Sequence, residues 1–220
     1  MLIAGIIGSE GQLQTARLIN SILASKGIKV SIIDSSSLFS FDGSRIKAYV
    51  NELDRNNVDL LLLKMSISDI DKFLTDEVQF DIVIYTDKAD IITESEKKRC
   101  SEKMKRVFSL MADKGVAIVN VDDSDLINLL QGMKHHFVTY GFNKKASITT
   151  SSIGDTVSKE SFICCLQRTI ETRNGIVIEP QEYKLRLEEN EFDSHNVLAA
   201  ASFAIINGID LNLAGGIQTI

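Results

Sequence analysis

Short unbroken apolar runs alternate along this chain with longer stretches in which apolar residues recur every third or fourth position, and that alternation predicts its architecture. The first run, LIAGII, reads as a buried strand ending beside a glycine. In the following QLQTARLINSILASKG, Leu13, Ala16, Leu18, Ile19, Ile22 and Leu23 fall at helical spacing and Gly27 supplies a stop. IKVSIID is a second buried strand. Strand, turn, helix and strand in this order form a βαβ unit, which implies parallel pairing and a right-handed crossover.

The rhythm continues. RIKAYVNELDRNN reads as helix, VDLLLLKM as strand, ISDIDKFLTDE as a short helix and FDIVIYT as strand. ITESEKKRCSEKMKRVFSLMADKG reads as a long helix ending at Gly115, followed by the strand VAIVNVDD, the helix SDLINLLQGM and the strand HHFVTYG. Continuous apolar strands between helices predict an α/β fold with a doubly wound, mainly parallel sheet covered on both faces, whose ligands bind at the carboxyl ends of the strands. Near residues 146–188 the period shortens to two in ASITTSSI, ESFICCLQRTIET and GIVIEPQEYKLRL, which predicts a smaller antiparallel patch. SHNVLAAASFAIINGIDL then reads as an alanine-rich amphipathic helix closed by Gly208.

Composition narrows the function classes. The 220 residues are 44% hydrophobic and 25% charged with one proline, which suits a single folded unit over 1–220. A net charge of −6 disfavours nucleic acid and anionic membrane as partners, since both require a dense positive face. The basic stretch from Glu96 to Arg106 is interrupted by carboxylates and reads as a solvated helix face. No apolar run approaches the ~18 residues of a membrane span, and residues 1–7 lack the basic start of a leader, so the expected location is the cytoplasm. The three cysteines, Cys100, Cys164 and Cys165, have no metal-type spacing and read as reduced thiols, with Cys164 facing a sheet core and Cys165 facing outward.

Candidate chemistry begins in GIIGSEGQLQT. Backbone amides of residues 9–13 at a helix start form an anion site whatever their side chains, although Glu10 opposes an anion there. The generic phosphate-loop spacing requires a glycine five residues before Gly11, where Ile6 stands, so an ordinary turn is the competing reading. Asp122-Asp123 reads as an acid-base pair or as a strand-end turn followed by a helix cap. His195-Asn196 reads as a base-binding pair, Asn being both donor and acceptor, or as the exposed start of a helix capped by Ser194. His135-His136 has no third ligand nearby in sequence for zinc.

The order and wording of these segments resemble the ATP-binding central domain of the Mur ligase and folylpolyglutamate synthetase family. GIIGSEGQLQTARLINSILASKGIKV is similar to that family's G-x-x-G-x-x-G-K-[ST] loop and helix, with Gly5 and Gly8 at its variant positions. VDLLLLKMS, FDIVIYTDKADI, SEKMKRVFSL, VAIVNVDDSD, VTYGF and EFDSHNVLAAASFAIINGIDL follow in the family's order, so the resemblance covers nearly the whole chain. It implies a P-loop NTPase-like fold and a nucleotide site at Gly8, Ser9, Glu10, Gly11, Gln12, Leu13, His195 and Asn196, with ATP and Mg²⁺ as the family's cofactors.

The same resemblance marks what is missing. Gln12 stands at the family's lysine, Leu13 at the Mg²⁺-binding Ser or Thr, Lys64 at a metal-binding Glu, Ile91 at a His and Met104 at the carbamylated lysine. Asp90 remains as a possible metal ligand and Lys64 as a possible substitute phosphate cation. A unit charge ~4 Å from a phosphate oxygen is worth about 4 kcal/mol at an effective dielectric near 20, so the missing lysine is consequential. The expectation is a family member with lost or weak ATP binding and doubtful Mg²⁺, acting through a protein partner. The alternative is an ATP-dependent carboxylate-amine ligase, or a subunit of one, of cell-wall or polyglutamate type. The chain spans the central domain without the family's amino-terminal substrate domain or carboxyl-terminal domain, so autonomous ligation is not expected. A MinD or ParA type ATPase, suggested by the opening βαβ unit and IIDSS, is opposed by the absent lysine and by VTYGF and HNVLAAA.

Overall fold

Strand β1 (Leu2–Ile7) is the pivot of the sheet, pairing in parallel with β3 (Leu60–Met65) on one side and β4 (Phe80–Tyr85) on the other. A computed structural model describes residues 1–73, 78–86, 94–123, 130, 135–151, 162–187 and 192–213. From β1 the chain runs outward through helix α1 (Gly11–Ala24) to the edge strand β2 (Val30–Asp34), returns through α2 (Gly43–Arg55) to β3, then crosses β1 to reach β4. The connections leaving β1 and β4 thus go opposite ways, which opens a crevice beyond their carboxyl ends.

The sheet continues in parallel through β5 (Met111–Asn120) and β6 (His136–Tyr140) to β7 (Ile148–Thr150), and antiparallel through β8 (Phe162–Leu166) to β11 (Gln181–Leu185). The period-two segments therefore extend the main sheet. Only β9 (Ile170–Glu171) and β10 (Val177–Ile178) separate as a two-stranded ribbon. Cys164 faces the core and Cys165 the outer side, where its Sγ lies 3.8 Å from Glu182 Oε1. Burial pushes the Cys164 thiol well above the usual range.

Two apolar layers flank the sheet. Ile6, Leu62, Ile84 and Ile118 point to one face and pack under α1 and α5 (Ser194–Ile206). Ile7, Leu63, Val83 and Val119 point to the other and meet Ile46 of α2, and Met104, Val107 and Phe108 of α4 (Glu94–Ser109). The short helix α3 (Ile70–Phe73) seats Ile70 in this second layer.

Two expectations are corrected here. The long helix stops at Ser109, not Gly115: Met111 already pairs with Phe80, and the register then jumps so that Ile82 meets Val116. The bulge leaves the intervening residues outside the ladder, and Gly115 fits because a Cβ there would lie 2.9 Å from the Ala112 carbonyl oxygen. The last helix is not amphipathic, because every residue from Asn196 to Ile206 is buried. Its small alanines let α1 approach on one side and the sheet on the other. The helix expected over SDLINLLQGM lies mostly outside the described residues.

Candidate functional site

The turn after β1 brings Gly8 to the sheet's carboxyl edge, where its N–H donates to the Met65 carbonyl at 3.3 Å. α1 starts three residues later. A cleft of about 400 Å³ opens here, lined by Glu10, Gly11, Gln14, Thr86, Asn120, Asp193, His195 and Asn196. The structure thus brings together the loop and the start of α5, which lie far apart in sequence. Gln14, Thr86, Asn120 and Asp193 were missed as site residues. A legible signal existed for Thr86 and Asn120, each at the carboxyl end of a strand expected to border the crevice.

Gln12 does not point a charge at the crevice. Its Nε2 donates to the carbonyls of Gly8 at 3.3 Å and Ser9 at 3.1 Å, so the side chain closes back on its own loop. Leu13 is exposed and presents no oxygen. Lys64 Nζ instead reaches Asp34 Oδ2 at 3.3 Å. The Ser36 hydroxyl, followed by its backbone N–H and Lys64, holds the Asp34 carboxyl below the usual range against partial burial.

Asn196 is buried and engaged at both ends of its amide, donating to Gln14 Oε1 at 2.7 Å and accepting from Thr15 Oγ1 at 3.3 Å. Gln14 Oε1 also accepts the Asp193 N–H at 3.1 Å, which fastens the start of α5 to α1. Asp193, not Ser194, caps α5: its Oδ1 accepts from the N–H groups of His195 at 2.7 Å and Asn196 at 3.3 Å. The cap matches the preference of helix starts for a carboxylate.

His195 sits between two carboxylates, with Nδ1 3.6 Å from Asp193 Oδ1 and Nε2 3.0 Å from Asp122 Oδ2. Asp193 first, then Asp122, raise the imidazole pKa above its ordinary value, against the opposing effect of burial. The same contact with His195 lowers the Asp193 carboxyl. Phe142 packs over His195 with ring centroids 4.3 Å apart.

Asp122 also accepts the N–H groups of Phe142 at 2.7 Å and Asn143 at 2.9 Å, so it organises the turn after β6, while the helix start expected after it lies outside the described residues. Gly141 makes that turn possible, with φ +143 and the Asp122 carboxylate where a Cβ would stand. Asp123 accepts from the Tyr85 hydroxyl at 3.1 Å.

At the position of the carbamylated lysine, Met104 is buried in the layer under α4. The adjacent Lys103 is taken up by the carbonyls of Ile67 at 3.0 Å and Ser68 at 3.2 Å, and by Asp71 at 3.1 Å. Asp90 and Ile91 lie outside the described residues. Among the described residues, no group of three His, Cys, Asp or Glu is placed to hold a metal ion, and no helix is long and apolar enough to cross a membrane.

The family model for the Mur ligase middle domain matches residues 6–204. The UDP-N-acetylmuramate–L-alanine ligase of Aquifex aeolicus is 24% identical over 148 residues, covering 67% of this chain and 31% of that protein. The corresponding enzyme of Buchnera aphidicola is 22% identical over 151 residues, covering 65% of this chain and 28% of that protein. Among solved structures, a UDP-N-acetylmuramoyl-L-alanyl-D-glutamate–2,6-diaminopimelate ligase superposes with a TM-score of 0.74 at 16% identity, over 97% of this chain and 45% of that one. The MurF ligase of Thermotoga maritima in complex with ADP does so with a TM-score of 0.61 at 16% identity, over 100% of this chain and 49% of that one. The chain therefore spans about a third of the curated relatives it matches and about half of these structures.

Proposed function

Because this chain belongs to the Mur ligase family through its middle domain, we propose that it has lost magnesium-dependent ATP turnover and acts in the cytoplasm through a protein partner. The observation that carries this reading is the fate of two side chains. Gln12 spends its amide on the carbonyls of its own loop, and Lys64 is neutralised by Asp34. Phosphoryl transfer requires cations where charge shifts during the reaction. The side chains lining the crevice among the described residues include carboxylates at Glu10 and Asp193 and no Lys or Arg.

This residue set does not fit a magnesium-bound triphosphate. Mg²⁺ demands hard oxygen donors in near-octahedral geometry, and Leu13 offers none while Lys64, paired with Asp34, stands where a carboxylate ligand is needed. Weak retention of ATP through the loop amides remains compatible with the helix start.

Calorimetric titration of ATP with and without Mg²⁺ tests the reading. The expected result is no magnesium-dependent binding at micromolar ligand. Magnesium-dependent micromolar binding would overturn it and favour the carboxylate-amine ligase subunit instead.

A further inference from the structure

We propose that the opposite pole of the sheet carries a second binding site, for a small uncharged molecule with an aliphatic body and a carbonyl acceptor. A cavity of about 570 Å³ opens where β1 and β3 begin and where α1 and α5 end. Its volume lies within the range of small-molecule sites. Leu2, Leu23, Ile28, Leu60, Phe203 and Ile209 supply an apolar wall. Gly27 leaves the rim open, since a Cβ there would meet nothing within 4 Å.

Arg173 supplies a guanidinium to the lining of this cavity. Its backbone N–H is tied to the Ile206 carbonyl at 2.9 Å, and its Nη2 donates to Asp81 Oδ1 at 3.1 Å. A guanidinium and a carboxylate usually pair through two parallel bonds. Here the other oxygen, Asp81 Oδ2, accepts the Ile3 N–H at 2.9 Å, and Arg173 Nε is buried without an acceptor among the described residues. Nε is closed to solvent, so a carbonyl entering the cavity takes Nη donors that Asp81 leaves over.

Charge selects against an anion in this role. Asp59 lines the cavity, Asp81 stands behind Arg173, and the carboxyl ends of α1 and α5 add negative dipole ends. One guanidinium faces two carboxylates and two helix ends. Asn174 and Asn207 at the lining suit an amide ligand better than a carboxylate.

The test is a two-dimensional ¹H–¹⁵N titration of the intact chain with N-acetyl-L-leucine amide and, separately, with N-acetyl-L-leucine at neutral pH. Saturable shifts at Gly27, Asn174 and Asn207 with the amide, and at least fivefold weaker binding of the carboxylate, are expected. Arg173→Lys keeps a cation for Asp81 but removes the planar fork of Nη donors, and should weaken the amide probe at least fivefold. Absent shifts at those amides, equal affinity for both probes, or a folded Arg173→Lys variant that binds as well as the parent would overturn the site. The two-probe comparison decides even where that variant fails to fold, and neither arm depends on whether the crevice at the other pole takes ATP.

Discussion

Lys64 and Asp34 are joined across β3 and the edge strand β2, Nζ to Oδ2 at 3.3 Å, with Lys64 on the same sheet face as Leu60 and Leu62. The register places the two residues directly opposite one another. A cation in this position has its carboxylate beside it already. To serve a phosphate it would have to leave Asp34.

Replacement of this lysine separates a structural role from a ligand role. Lys64→Ala should leave ATP affinity unchanged in calorimetry, and should lower stability by no more than about 1 kcal/mol because Asp34 is half exposed. A tenfold loss of ATP binding in this variant would make Lys64 the phosphate cation.

Restoring the loop cation tests whether missing charge limits the site. In Gln12→Lys the new ammonium replaces an amide now spent on Gly8 and Ser9, so ATP affinity should rise at least tenfold, about 1.4 kcal/mol. Unchanged affinity in isothermal titration would place the limit in the loop backbone instead of its charge.

The His195 cluster predicts a pH dependence with a definite sign. His195 has a raised pKa in the folded chain, so its contribution is complete below the ordinary value of 6.5 and is lost as pH rises through the folded value. Asp193 has a lowered pKa, so its contribution is present above 3.8 and lost as pH falls through its folded value. The two overlap between those ordinary values. Urea midpoints of the parent and His195→Gln, measured from pH 5 to 9, should differ most at the acid end and converge at the alkaline end. A difference that grows with pH would contradict the assignment of both carboxylates to the imidazolium.

The turn after β6 should tolerate no side chain at its first position. Gly141→Ala forces a methyl to 2.5 Å from Asp122 Oδ2 at φ +143, and should cost about 1–3 kcal/mol in denaturant unfolding. Because Asp122 also contacts His195, the His195 resonance should shift in the same variant. A neutral substitution would mean that the turn relaxes freely.

Much of the fold was legible because strand and helix periods are local properties. LIAGII, VDLLLLKM and FDIVIYT are apolar on both faces, and a strand apolar on both faces must be covered on both, so the doubly wound sheet followed directly. The loop with its missing lysine, and His195-Asn196 at a helix start, were likewise readable from residue type and order. The end of α4 was not, because MADKG suits a helix until the pairing of Met111 with Phe80 competes for its backbone.

Along the chain alone, apolar spacing determined which segments become strands or helices, and residue identity determined that the first turn lacks a cation. Only the tertiary structure decided what those residues do to each other: that Gln14 and Thr15 engage Asn196, that Asp122 reaches both the turn after β6 and His195, and that Asp34 meets Lys64. The physical reason is distance in sequence. A hydrogen bond or an ion pair between residues far apart exists only once the sheet order has placed their strand ends together, and spacing along the chain carries no record of that order.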